Sequence, residues 1–161
     1  MQLPVNRKFR LLSMLGEHAS IVMIGAPIMA LSIFMHEKWG FYFVLMLYLN
    51  KDFLKGQSPL KRLLNTQVQD NGGARANEWQ CFLRNTTLLI WPLEVMILAI
   101  NGRKRLGDYI ANTQVVDASK NACSWRQELA AYRVTPNTFY TLIGTGLYIL
   151  LVHIFFNWLG L

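Results

Sequence analysis

Residues 85–100 read NTTLLIWPLEVMILAI, and the fold turns on what this run does. It is apolar enough for a bilayer, but it is short, and Pro92 and Glu94 stand near its middle. Crossing the hydrocarbon core takes about 20 apolar residues. Polar loops flank the run at 50–84 and 101–137, each with six Lys/Arg against three acids. A crossing would put two equally basic loops on opposite sides, against the tendency of Lys and Arg to remain on the cytoplasmic face. The loops also echo one another: Asn65-Thr66-Gln67-Val68-Gln69-Asp70 in the first, Asn112-Thr113-Gln114-Val115-Val116-Asp117 in the second. Both copies are short, β-prone and end in a polar turn, so they can pair if they share one side. Re-entry, with a break at Pro92-Leu93-Glu94, satisfies both clues. A simple crossing is the alternative.

Outward from this run the spans are plainer. Residues 138–161 carry no Asp, Glu, Lys or Arg, and Thr135-Pro136 supplies an N-cap followed by a first-turn proline. Residues 19–35 form a run of 17 without a formal charge, kinked at Pro27. His36, Glu37 and Lys38 make a turn, and a second run starts at Trp39 and continues to Phe53 and Leu54. Together they read as a helical hairpin with Trp39, Phe41 and Tyr42 at an interface. The basic start at Arg7, Lys8 and Arg10 leads into an uncleaved anchor helix. Trp125, Leu129 and Tyr132 share a face of a short helix, lying in the headgroup region or packed on protein.

Composition agrees with lipid as solvent. The 161 residues are 53% hydrophobic and 16% charged, with mean hydropathy +0.24, against about 45–50% and about 25% in soluble domains. The net charge of +7 comes from clusters that abut apolar runs, which points to anionic headgroups rather than nucleic acid. Cys81 and Cys123 fall in the polar loops without nearby histidine, so neither a disulfide nor a metal site is expected. No nucleophile elbow, P-loop, dinucleotide or zinc-protease motif occurs, and no enzyme or cofactor is expected. Ser58, before Pro59, reads as a helix N-cap.

Chemistry therefore rests on the few ionisable groups near apolar runs: Arg10, Glu17, His18, Asp52, Glu94, Asp108 and His153. Such groups are costly in lipid and are kept for ion pairing or for ion handling. Arg10 and Glu17 are seven apart, on one helical face and about 10 Å along it, so each needs a partner elsewhere. Asp108 can find a cation in Arg103-Lys104-Arg105 or on the first helix. His153 and Asn157, one turn apart, suit hydrogen bonding between helices.

The stretch Arg10-Leu-Leu-Ser-Met-Leu-Gly-Glu17 resembles the first-helix signature of the RDD family of small bacterial membrane proteins. Asp52-x-x-x-Gly56-Gln-Ser58-Pro-Leu-Lys61-Arg62, then Val68, resembles its loop after the second helix. Arg84-Asn85 and Arg105-Leu-Gly-Asp108-Tyr-Ile-Ala-Asn-Thr113-Gln-Val115-Val116 resemble its closing block. The likeness runs over residues 10–117. The family's arginine and two aspartates fall on Arg10, Glu17 (in place of the first Asp) and Asp108, and Leu60 stands where glycine is usual. The resemblance implies loop-motif roles for Gly56, Ser58, Lys61, Arg62, Arg84 and Thr113. It also implies a membrane protein for which transport, including cation/proton exchange, has been suggested.

The expectation is an all-α membrane protein. It has a helical hairpin, a short or re-entrant third element, a small cytoplasmic β pair and a C-terminal transmembrane helix. Residues 1–137 form the family-like domain and 138–161 an added helix. The expected location is the bacterial inner membrane, multi-pass, with the N-terminus cytoplasmic and the chain in a homo-oligomer or larger membrane complex. Two functions stay open: ion transport using Glu94, or a non-transporting accessory subunit.

Overall fold

The computed structural model describes residues 7–102, 104–118 and 125–160. Helix α1 (Arg7–Phe34) and α2 (Trp39–Leu49) form the expected hairpin. Glycine lets them approach closely. A Cβ at Gly40 would lie 2.5 Å from the Ser32 Cβ, and one at Gly25 would lie 2.9 Å from Val44. Small residues of this kind are how helices pack where lipid removes the hydrophobic drive. The second helix ends at Leu49, earlier than the apolar run suggested, because Asn50 leaves the helical geometry and residues 50–56 turn.

The polar loops are more structured than expected. The first holds α3 (Pro59–Leu63), β1 (Thr66–Asp70) and α4 (Glu78–Asn85). A 3₁₀ turn (Thr86–Ile90) leads into α5 (Trp91–Asn101), then α6 (Leu106–Ile110), β2 (Thr113–Asp117), α7 (Trp125–Ala130) and α8 (Pro136–Trp158). Ser58 caps α3 by accepting from the Lys61 backbone N–H, and Thr135 caps α8 through a capping box with Thr138. Tyr132 lies beyond the end of α7, and Leu129 is exposed. Cys81 is in α4 rather than a loop, buried with Val68, Ala76 and Val115. Cys123, Arg103 and the side chain of Trp125 lie outside the described residues.

The sequence echo is a structural repeat. Strands β1 and β2 pair antiparallel about Val68↔Val115, with Thr66↔Asp117 and Asp70↔Thr113 at the ends. Each is preceded by an asparagine in the left-handed region, Asn65 (φ 51°) and Asn112 (φ 54°), and by a five-residue helix. Asparagine tolerates that conformation better than most residues. Even the flanking bonds match, since Asn65 O accepts from Ala118 N and Asn112 O from Asn71 N.

The third run, Glu78–Asn101, is long and apolar enough to cross a membrane, but it is not straight. A straight helix would carry Asn101 about 25 Å beyond Arg84. The six residues from Asn101 to Gly107 reach at most about 20 Å, yet Gly107 lies against the Arg84 carbonyl. The bend is at Thr86–Ile90, a turn before the expected break. Pro92 sits in the first turn of α5, where its missing N–H costs nothing.

One end of the molecule is therefore polar and the other apolar. Helix α8 starts beside Glu78 and runs back along α2, with Thr145 bonded to Asn50 and His153 to the Tyr42 hydroxyl at 2.8 Å. His153 thus bridges helices as expected, whereas Asn157 donates to His153 within α8 itself. Only 17% of the apolar window of α1, and the same share of α8, is buried. Side chains such as Met23, Phe34, Phe139 and Leu151 face outward. Surfaces this apolar call for lipid.

Candidate functional site: a buried charge network

At the polar end nine charged side chains meet, none more than 3% exposed: Arg10, Glu17, Lys51, Asp52, Lys61, Arg84, Glu94, Arg105 and Asp108. Helix α1 contributes the first two from one face. As their spacing required, each is partnered elsewhere. The Arg10 guanidinium donates to Asp108 at 2.8 Å. Glu17 pairs with Lys51 at 3.0 Å and with Lys61.

Lys61 and Asp108 hold corresponding places in the two repeat units, each the third residue of its short helix. Lys61 also donates to Asp52 at 2.7 Å. Asp108 gathers Arg84 at 3.0 Å and the Arg105 Nε at 3.6 Å besides Arg10, and accepts from the Arg105 backbone N–H. Arg84 lies 3.9 Å from Asp52 and so joins the two halves. Arg105 continues to Glu94 at 3.5 Å and to the Asn85 side chain at 2.9 Å.

Electrostatics follows from this crowding. Burial alone pushes the Asp108 carboxyl up, but Arg84, Arg10 and Arg105 outweigh it and hold the acid well below its usual range. Asp52 behaves likewise: burial raises it, and Lys61, Arg84 and Lys51 together more than compensate. Burial lowers Lys61, and its two carboxylates recover only part of that. Pairing is what makes such burial tolerable, because a lone buried ion costs several kcal/mol, in the range of about 3–5 when its partner is removed.

Glu94 corrects an expectation. Rather than standing beside a break in lipid, it is 1% exposed within this network. It accepts from the Thr87 hydroxyl at 2.5 Å and the Gly107 N–H at 3.2 Å, besides facing Arg105. Gly107 is obligatory here, since a Cβ would overlap the Arg84 carbonyl. In the other unit the matching residue is Leu60, and Gly16 makes room for it: a Cβ there would lie 2.8 Å from the Leu60 Cδ2.

The loop-motif residues serve this assembly differently. Gly56 has φ 68° and takes the Val68 N–H on its carbonyl. Thr113 is buried at the start of β2, whereas Arg62 lies outside the network, paired with Glu128 at 2.6 Å. Sequence reasoning missed Lys51, Thr87 and the hub role of Arg105. The matched spacing Ser58-x-x-Lys61 and Arg105-x-x-Asp108 was the available signal for the last.

An apolar helical stem with a charged, sheet-bearing base defines an integral membrane protein of α-helical class. The chain belongs to the RDD family, whose family model matches residues 9–160 and so takes in α8 as well. Among curated proteins and among solved structures, none matches.

Proposed function

We propose that this is a multi-pass inner-membrane protein that acts as a non-transporting accessory or assembly subunit of a larger membrane complex or oligomer, with its charged base on the cytoplasmic side. One observation carries the reading. Among the described residues the network holds five cations against four carboxylates, and every carboxylate lies within 4 Å of a Lys or Arg. A cation arriving there meets net positive charge and no free acid, so the cluster is suited to locking helices together. The exposed faces of α1 and α8 then offer lipid-facing surface to partner helices.

Transport remains the second reading, favoured by the placement of Glu94, a buried ionisable group beside the bend of an apolar run. Reconstitution into vesicles carrying a pH-sensitive dye separates the two. The subunit reading expects cation-driven proton flux no greater than in protein-free vesicles. Flux in the parent that is lost in Glu94→Gln, with the fold retained, would establish exchange instead.

A further inference from the structure

A cavity of about 230 Å³ opens between the turn after α2, the start of α4 and the segment joining α7 to α8. Its lining includes Lys55, Arg75 and Arg133. The side chains of Arg75 and Arg133 are exposed, and neither has an ion pair or side-chain hydrogen bond among the described residues. Lys55 is only loosely engaged, 3.7 Å from Glu128, which Arg62 already holds at 2.6 Å. The one lining acid, Glu78, is occupied by two hydroxyls, Tyr132 at 3.1 Å and Thr135 at 3.5 Å. Three cations therefore face one satisfied carboxylate.

The position of the cavity matters as much as its charge. It lies where α8 begins, and the surface next to it turns apolar at once: Val134, Phe139, Tyr140 and Ile143 are each at least 58% exposed. We propose that the cavity binds the phosphate of an anionic membrane phospholipid, whose acyl chains lie along this face of α8. The proposal does not depend on whether the chain is a subunit or an exchanger. Arginine side chains suit phosphate because their planar N–H groups can bond two oxygens at once. Basic pockets beside membrane helices recruit acidic headgroups for the same reason. Free phosphate shares the charge chemistry but has no use for the apolar strip.

The test uses the full chain purified in a neutral detergent and read by native mass spectrometry. It is titrated separately with short-chain phosphatidylglycerol, short-chain phosphatidylcholine and inorganic phosphate. The expected result is one phosphatidylglycerol bound about tenfold or more tightly than either alternative, from roughly additive gains per basic residue. Arg75→Gln with Arg133→Gln should bring phosphatidylglycerol down to the phosphatidylcholine level, while Lys104→Gln, a cation elsewhere on the base, should not. Equal affinity for the two lipids in the parent overturns the proposal, as does inorganic phosphate binding as tightly as phosphatidylglycerol. Undiminished binding by the double variant overturns it as well. The comparison of ligands on the parent decides the matter even if the variants fold poorly.

Discussion

The units Pro59–Leu63 with Thr66–Asp70, and Leu106–Ile110 with Thr113–Asp117, share one backbone plan and carry opposite charges at the same place. Both reach back to α1 from the third residue of a short helix. The Lys61 ammonium takes Glu17, and the Asp108 carboxylate takes Arg10. Backbone pattern and side-chain charge therefore have separate tasks. The pattern builds a two-fold platform, and the charges make its two arms distinguish the two sites on α1, about 10 Å apart. The rest of the network is unequal, since Asp108 serves three arginines whereas Lys61 serves two carboxylates.

That inequality sets the order of expected effects. Asp108→Asn leaves three buried guanidinium groups short of charge and should cost about 3–5 kcal/mol, at the upper end of losses from breaking buried pairs. Unfolding in mixed detergent micelles measures it. A loss below 1 kcal/mol, as for exposed pairs, would break the comparison at its stronger arm. Glycine contrasts with leucine at the next position. Gly107→Ala forces a Cβ into the Arg84 carbonyl and should cost about 3 kcal/mol, at the high end for overpacking. Leu60→Ala only empties half-buried space above Gly16 and should cost about 1–2 kcal/mol, below the range for fully buried leucine. Equal losses would mean that the two units are not packed differently.

Acid titration sharpens the same point more gently. A carboxyl held below its ordinary value stabilises the fold above about pH 4, the unfolded range, and that contribution fades as pH falls through the folded value. Asp108 and Asp52 are both depressed, so the protein should keep its melting temperature down to the ordinary carboxylate range and lose it only below. In Asp108→Asn this acid-side loss should shrink. An unchanged acid profile in that variant would remove Asp108 as its source.

Much of this plan was legible before the structure. The hairpin, the last helix, the caps at Ser58 and Thr135 and the pairing of the NTQV echoes follow from local rules that act within a few residues. The seven-residue spacing of Arg10 and Glu17 correctly required separate partners. Asp108 was open to a cation on the first helix, and Arg10 is that cation, but the meeting of Lys51 and Lys61 with Glu17 was not legible, and neither was the bend at Thr86–Ile90. That bend was misplaced at Pro92, since proline is the visible breaker but is harmless in a first turn. The partners of Glu94 were not legible either. An acid in an apolar run signals burial, but the run itself does not reveal that Arg105 folds back to meet it.

Double-mutant cycles on α1 and the two arms test the central claim most directly. Arg10→Met is combined with Asp108→Asn, Glu17→Gln with Lys61→Met, and then the crossed pairs Arg10 with Lys61 and Glu17 with Asp108. The account predicts coupling of about 1–3 kcal/mol within each matched pair and about half of that or less across the crossed pairs, which meet only indirectly, through Asp52 and Arg84. Crossed couplings as large as the matched ones would contradict it, showing one undivided pool of charge rather than two arms that each recognise their own site on α1.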